Sequence, residues 1–261
     1  SMVAFGLSNA MSKIPISHIG VGRSIFYRNI FTSLSLLPLL VFALARRELD
    51  LLFILIAFGV SFVGYIPLIT FYTGLEKGKV GVVSPIASSQ VVFTAIFAFL
   101  FYGENMGALK IISILVILLG IYLISGNFKS FRASDFFYIS TGVPHALLTC
   151  FLWGLTFFLF KIPVNVLGPI ITSFIIEFGT LIYSFFYLKV KKRSLKAGAR
   201  YIRQLFLVGV LGAIGTLFFN FGIGFLDVSV VTAINSGIPL ITALYGRIVF
   251  KESLKIKHWA G

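Results

Sequence analysis

Two charged side chains fall deep within apolar stretches of the sequence, where ionisable groups are costly and are retained for function or for pairing. Glu177 lies near the middle of an apolar segment at 166–188, and Arg28 lies well inside another at 19–45. An ion pair between them would hold the two segments in register, whereas Arg28 alone could extend toward the end of its segment. A third interpretation is chemical: Arg28 binds a carboxylate, and Glu177 binds an ammonium group or a coupling proton.

A second group of polar side chains stands beside prolines in the middle of two other apolar segments. Residues 84–90 read SPIASSQ and residues 232–239 read TAINSGIP. Proline removes a backbone hydrogen bond, which loosens a helix and frees polar groups for a solute. Small hydroxyl residues also serve close helix packing, so the amides are the more specific signal. Together with Arg28 and Glu177, the predicted substrate-binding residues are Ser88, Gln90, Asn235 and Ser236, completed by Tyr65, Tyr72 and Asn220 on neighbouring segments.

The composition identifies the surroundings of these segments as a lipid bilayer. Hydrophobic residues make up 58% of the chain and charged residues 11%, with a mean hydropathy of +1.03. A helix needs about 20 apolar residues to cross about 30 Å of hydrocarbon. Eight complete spans are predicted at 19–45, 51–75, 80–103, 107–127, 136–160, 166–188, 204–226 and 228–246. We predict two further spans that are truncated in this sequence, one at residues 1–12 and one that is cut off after residues 259–261.

The two halves of the chain repeat one another. Residues 5–15 read FGLSNAMSKIP and residues 153–163 read WGLTFFLFKIP, so glycine, lysine, isoleucine and proline recur at a spacing of 148. Thr94 recurs as Thr242 at the same spacing. Duplicated membrane halves commonly enclose a pathway between them.

Span counting and the duplication together predict the fold. Backbone hydrogen bonds must be satisfied within each span, which favours helices. We therefore predict an all-α membrane protein, a ten-helix bundle of two five-helix repeats at 1–128 and 129–261, with its first and last helices truncated in this chain. Because five is odd, the second repeat is inverted, and the halves are related by a pseudo-twofold axis in the membrane plane.

Positive charge is unevenly distributed over the loops of this predicted bundle. Of the 22 lysines and arginines, Arg46, Arg47, Lys110 and Lys161 fall at one end, and the others fall at the opposite end. The positive-inside rule places the basic end in the cytoplasm and both chain ends outside. The net charge of +14 is then a topology signal and an attraction to anionic lipid. Nucleic acid is not a predicted partner, because no soluble domain is long enough to read it.

The sequence argues against an enzyme. An intramembrane hydrolase needs a nucleophile with its base, two carboxylates or metal ligands at mid-depth. Cys150 has no histidine at comparable depth, and Glu177 is the only acid placed so deep. We expect no cofactor and no metal. The predicted partners are a small-molecule substrate, the lipid bilayer and a coupled proton or counter-substrate, in a monomer or homodimer.

The repeated motifs resemble those of a known family. An aromatic residue and glycine followed by lysine open each half, and Pro239 precedes Glu252 at the close of the fourth span of the second half. This pattern resembles the EamA-type branch of the drug/metabolite transporter superfamily over nearly the whole chain. The resemblance implies ten helices in two inverted repeats, and export or exchange of small metabolites such as amino acids. The first half departs from the pattern: Val91 matches Pro239, and Pro85 lies six residues earlier.

We predict a multi-pass secondary transporter that moves small polar metabolites, preferably amino acids or related compounds, across the cell membrane by alternating access. The alternatives are an exchanger of phosphorylated sugars or nucleotide sugars, and an exporter of cationic drugs. Phosphate would require several cations in the central cavity, and Arg28 is the only one deep enough. The resemblance also implies chain ends in the cytoplasm, whereas the loop charges place them outside.

Overall fold

A computed structural model describes residues 1–45, 49–78, 80–124 and 141–249 of the chain. Within these ranges the protein is built from α-helices and short connections, without a β-strand. The helices of this part of the chain are α1 (Met2–Ile19), α2 (Val21–Leu44), α3 (Leu51–Lys77), α4 (Val80–Ser88), α5 (Val91–Tyr102), α6 (Ala108–Ile124), α7 (Val143–Leu167), α8 (Pro169–Val190), α9 (Ala199–Phe225), α10 (Val228–Asn235) and α11 (Ile238–Val249).

Most of these helices have the length and composition of membrane spans. Seven segments of the described chain are long and apolar enough to cross, with α4 and α5 counted as one segment and α10 and α11 as another. The remaining predicted span, at 107–127, corresponds to α6. The apolar part of α6, at 108–120, is shorter than the other seven segments. Large apolar side chains are exposed on these helices, for example Leu55, Phe99, Phe186 and Phe218. Extensive apolar exposure of this kind indicates a surface covered by lipid.

The duplication read from the sequence recurs in the positions of the helices. α2 and α8 begin 148 residues apart, as do α3 and α9, and α4 and α10. The turns before α2 and α8 also match, since Gly20 has φ 81° and ψ 163° and Gly168 has φ 79° and ψ 167°. Positive φ is readily adopted by glycine alone, so both halves enter their second helix through the same backbone turn.

Among the described residues, each half contains one broken helix. The first break lies at Ser89–Gln90, between α4 and α5, and the second lies at Ser236–Gly237, between α10 and α11. At both breaks the backbone forms i to i−3 hydrogen bonds, such as Gln90 N to Ala87 O and Gly237 N to Ile234 O, which tighten the helix locally. The breaks overlap with a shift of one residue, since Ser89 is equivalent to Gly237, although the nearby Pro85 and Pro239 are not equivalent.

Two helices differ in their boundaries from the apolar spans predicted from the sequence. α1 does not end near residue 12, and α7 is displaced toward the C-terminus from the predicted 136–160. Both helices continue past a lysine, Lys13 or Lys161, whose ammonium group forms hydrogen bonds. A charged side chain that has hydrogen-bond partners does not end a helix, so the predicted spans mark apolar stretches rather than whole helices. The predicted repeat boundary at residue 128 and the truncated last helix lie outside the described residues.

The repeated glycines allow helices of the two halves to pack closely at the breaks. A Cβ on Gly154 in α7 would lie 3.1 Å from the carbonyl oxygen of Gln90. A Cβ on the equivalent Gly6 in α1 would lie 3.3 Å from the carbonyl oxygen of Ile238. The opening helix of each half therefore packs closely against the broken helix of the other half. This contact explains in physical terms why the aromatic-glycine motif occurs twice.

Candidate transport cavity

A cavity lies where the two broken helices meet helices of both halves. Its wall is formed by residues of α1 to α4, α7 to α9 and α11, together with Gln90 at the first break. The cavity volume is about 90 Å³. A water molecule occupies about 30 Å³ of the liquid, so the cavity accommodates a few waters or a small solute.

An ion pair lies on the wall of this cavity. Arg28 Nη1 is 3.2 Å from Glu177 Oε2, and both residues are buried. The guanidinium also donates to Asn29 Oδ1 at 2.6 Å, and Thr216 Oγ1 donates to Glu177 Oε1 at 2.5 Å. Gly212 makes room for the guanidinium, because a Cβ there would lie 2.8 Å from Arg28 Nη2. Residues of α2, α8 and α9 thus hold two opposite charges side by side at a cavity.

Two more of the residues predicted from the sequence, Ser88 and Gln90, line the cavity beside the first helix break. Gln90 is 2% exposed, and its Oε1 has no hydrogen-bond partner among the described residues. A buried polar atom without a partner is costly. Gln90 therefore carries hydrogen-bonding capacity that a solute in the cavity can use.

The two predicted tyrosines lie in the helix core rather than on the cavity wall. Tyr72 is 1% exposed, and its hydroxyl is 3.0 Å from Ser12 Oγ. Tyr65 packs against Tyr183 with ring centroids 6.1 Å apart. Both belong to one apolar cluster that includes Phe71, which does reach the cavity. The structure therefore places the tyrosines one layer behind the wall.

The predicted residues around the second break also lie outside the cavity lining. Asn235 donates to the carbonyl oxygen of Val231, and Ser236 donates to that of Thr232, so both side chains bond within their own segment. Asn220 donates through Nδ2 to Ser173 Oγ at 2.8 Å. Asn220 thus links α9 to α8, whereas Asn235 and Ser236 bond within their own segment, and the sequence pattern did not distinguish these residues from Gln90.

The structure adds cavity residues that the sequence analysis did not select. Five of them come from the opening helix of each half: Asn9 and Phe5 from α1, and Trp153, Phe157 and Phe160 from α7. A usable signal was present, because these residues lie in or next to the two copies of the repeated aromatic-glycine motif. A motif repeated in both halves marks the interface between the halves.

A second charged cluster lies away from the cavity, at one end of the bundle. Glu104 follows α5 and is 6% exposed. It accepts hydrogen bonds from the backbone N–H of Val228 and of Ser229, from the Ser229 hydroxyl, and from Lys161 Nζ at 3.4 Å. Within the described ranges, no group of three or more His, Cys, Asp or Glu residues is placed to hold a metal ion. Lysines and hydrogen-bond donors are therefore the partners of this carboxylate.

Comparison with known proteins assigns the family. The model described as the EamA-like transporter family matches residues 1–126 and again residues 140–261. The chain belongs to the EamA-like transporter family. The resemblance inferred from the repeated motifs is thereby confirmed, and this EamA-family protein is a multi-pass membrane protein of a transporter family.

Two similar proteins extend this result. A protein from Archaeoglobus fulgidus, described only as an uncharacterized transporter, is 25% identical over 241 residues, which cover 90% of this chain and 82% of the relative. A solved structure described only as the crystal structure of a protein has a TM-score of 0.73 at 12% identity, and the match covers 99% of this chain and 91% of that one. The structural likeness shows a shared fold.

Proposed function

We propose that this EamA-family protein is a secondary transporter that moves small polar metabolites, amino acids or closely related compounds, by alternating access. The observation that carries the proposal is the ion pair between Arg28 and Glu177 on the wall of a cavity shared by both halves. A zwitterion presents one carboxylate and one ammonium group, and the pair offers a partner for each. Since a buried charge needs an opposite charge, a zwitterion can replace the internal pair without leaving either residue unpaired.

The proposal includes ten helices in two inverted repeats, 1–128 and 129–261. Lys13, near the end of α1, donates to the carbonyl oxygen of Gly78 just after α3, at 2.6 Å. Gly142, at the start of α7, lies against the same residue, because a Cβ on Gly142 would be 3.0 Å from Gly78 N. The end of α1 therefore neighbours the beginning of its repeat-equivalent helix α7. This arrangement supports inversion, which lets two similar halves open one cavity alternately to either side.

The charges and the volume of the cavity favour amino acids as substrates over sugar phosphates and cationic drugs. A sugar phosphate requires several cations, and among the described lining residues Arg28 is the one cation, already paired with Glu177. Pockets for drug-sized molecules have volumes of about 300 Å³ or more, which exceeds the cavity volume of about 90 Å³.

We further propose that the basic end of the bundle faces the cytoplasm at the cell membrane. Arg23 at the start of α2 and Lys191 and Arg193 after α8 surround a polar cavity at this end. A Ser194→Cys variant provides the test, because Ser194 is exposed and the native Cys150 is buried. A membrane-impermeant thiol reagent is expected to label the variant only after cells are permeabilised. Labelling in intact cells would reverse the orientation.

Transport itself is tested with purified protein in liposomes. The uptake of labelled amino acids, a sugar phosphate and a cationic drug is measured with and without a proton gradient, and with and without an internal counter-substrate. We expect amino acids to enter, driven by the gradient or by the counter-substrate, and no uptake in protein-free liposomes. Uptake of sugar phosphate or drug without amino acids would show that the proposed substrate class is wrong.

A further inference from the structure

Part of the cavity wall is built from positions that the duplication makes equivalent, and at several of them the two halves place different chemistry. Three lining residues of the first half are polar, and their equivalents 148 positions later also line the cavity but are apolar. The pairs, with the first-half residue given first, are Asn9 and Phe157, Arg28 and Ile176, and Gln90 and Ile238.

Two more equivalent pairs on the wall complete this pattern. In the pair Leu68 and Thr216 the apolar residue belongs to the first half and the polar residue to the second. The Thr216 hydroxyl donates to Glu177, so it is part of the hydrogen-bonded group around the ion pair. Phe5 and Trp153 are aromatic in both halves. The polar groups that face the cavity are therefore gathered around the ion pair and the first helix break.

Beside Glu177 and three threonines, the lining residues of the second half form an apolar wall that consists of Trp153, Phe157, Phe160, Ile176 and Ile238. Phe157 and Phe160 pack edge to face with ring centroids 5.7 Å apart, and Trp153 stacks on Phe157 at 6.2 Å. Two of the threonines, Thr156 and Thr180, donate their hydroxyls to carbonyl groups of their own helices. This wall therefore offers a solute apolar contact and few hydrogen bonds.

The contrast is clearest at the two helix breaks. Gln90 has a buried amide oxygen without a partner among the described residues, whereas Ile238 presents a branched hydrocarbon that is 8% exposed. A polar solute atom gains a hydrogen bond beside Gln90 and loses its water without replacement beside Ile238. An apolar group gains from burial beside Ile238.

We propose that the substrates are amino acids with apolar side chains, such as valine and leucine. This inference rests on the proposed function, in which Arg28 and Glu177 bind the carboxylate and the ammonium group. The side chain of the substrate then lies against Phe157, Ile176 and Ile238, while charged and amide side chains find no partner there.

Competition in liposomes tests the substrate class. Uptake of labelled leucine is measured against unlabelled valine, serine, glutamine, glutamate, lysine and a sugar phosphate. We expect valine to compete at least about tenfold more strongly than glutamine, which is the discrimination typical of an apolar pocket, and glutamate and lysine to compete least. Uptake of amino acids with a preference for glutamine, serine or a charged side chain would overturn this inference and leave the proposed function intact. Failure of every amino acid would overturn both.

The variant Ile238→Gln tests the apolar wall itself, because it places the side chain of Gln90 at the equivalent position. We expect the preference for leucine over glutamine to fall about tenfold. Ile248→Gln is the matched control on the same helix, where the side chain is 75% exposed, and it should leave the preference unchanged. An unchanged preference in Ile238→Gln would overturn the inference. If that variant fails to fold, Ile176→Thr provides the same comparison with a smaller change, and the wild-type competition series decides independently of any variant.

Discussion

Glu177 and Glu104 are both buried glutamates that connect the two halves of the chain, but their partners differ in kind. Glu177 accepts from two side chains, Arg28 and Thr216, and lines a cavity. Glu104 accepts from two backbone N–H groups, a hydroxyl and a lysine. One carboxylate therefore has partners that a solute can replace, and the other is bonded to the main chain.

This difference separates the charge for which we propose a role in transport from an architectural one within the same membrane protein. The N–H groups bound by Glu104 belong to Val228 and Ser229, in the first turn of α10, where helical N–H groups have no partner within the helix. A carboxylate at a helix N-terminus is also favoured by the helix dipole. Glu104 thus anchors the broken helix of the second half to the end of α5 in the first half. Burial of a charge in a membrane is by itself no evidence for transport chemistry.

The largest effect is expected from Glu104→Ala. The substitution leaves Lys161 and the first N–H groups of α10 without their carboxylate, and loss of one partner of a buried pair costs about 3 to 5 kcal/mol. We expect the free energy of unfolding to fall by about this amount, measured by detergent titration of the purified protein. Combining the change with Lys161→Met should restore part of it, since both charges are then removed. A decrease in the free energy of unfolding below about 1 kcal/mol would show that Glu104 contributes no more than an exposed ion pair does.

The next effect is expected from Glu177→Gln, with the loss in transport rather than in folding. The amide keeps the shape of the side chain but can neither neutralise an ammonium group nor carry a proton. We expect the initial rate of amino-acid uptake to fall about 100-fold, or about 2.7 kcal/mol. Its free energy of unfolding should fall less than that of Glu104→Ala, because Arg28 keeps Asn29 as a partner. Unchanged uptake across the pH range would remove Glu177 from the mechanism.

A smaller effect is expected from Arg28→Lys. Lysine retains the charge but lacks the planar fork that binds a carboxylate through two parallel hydrogen bonds. We expect KM for the amino acid to rise about tenfold, equivalent to about 1.4 kcal/mol, with a stable fold. Arg28→Met should be more damaging because no charge remains for the carboxylate. Equal KM values for the lysine variant and the wild type would indicate that Arg28 only balances Glu177.

The smallest effect is expected from Tyr72→Phe. The change removes the hydroxyl that lies 3.0 Å from Ser12 Oγ and keeps the buried ring. We expect a loss of about 1 kcal/mol in the free energy of unfolding and an unchanged uptake rate, measured on the same preparation. A marked fall in uptake would instead support the role in substrate binding that the sequence predicts for this tyrosine.

The sequence singled out residues most sharply where a residue type is expensive in lipid and was less specific where it is not. Arg28 and Glu177 stood out because charges are rare inside a bilayer, and the structure brings both to the cavity. Gln90 and Asn235 looked alike as amides beside helix breaks. The duplication aligns Gln90 with Ile238 rather than with Asn235, and the amide of Asn235 bonds to its own helix. The position relative to the break decides which amide reaches the cavity.

The sequence by itself determined the helical membrane class, the duplication, the family and the two deep charges, because apolar length, repeat spacing and rare residue types are local features of a chain. Only the tertiary structure decided which faces meet: that Thr216 bonds to Glu177, that Tyr72 lies behind the wall, and that Ile176 and Ile238 line the cavity. The physical reason is the solvent. Lipid and protein core both accept apolar side chains, so a spanning helix is apolar all round and its periodicity does not reveal which face is inward.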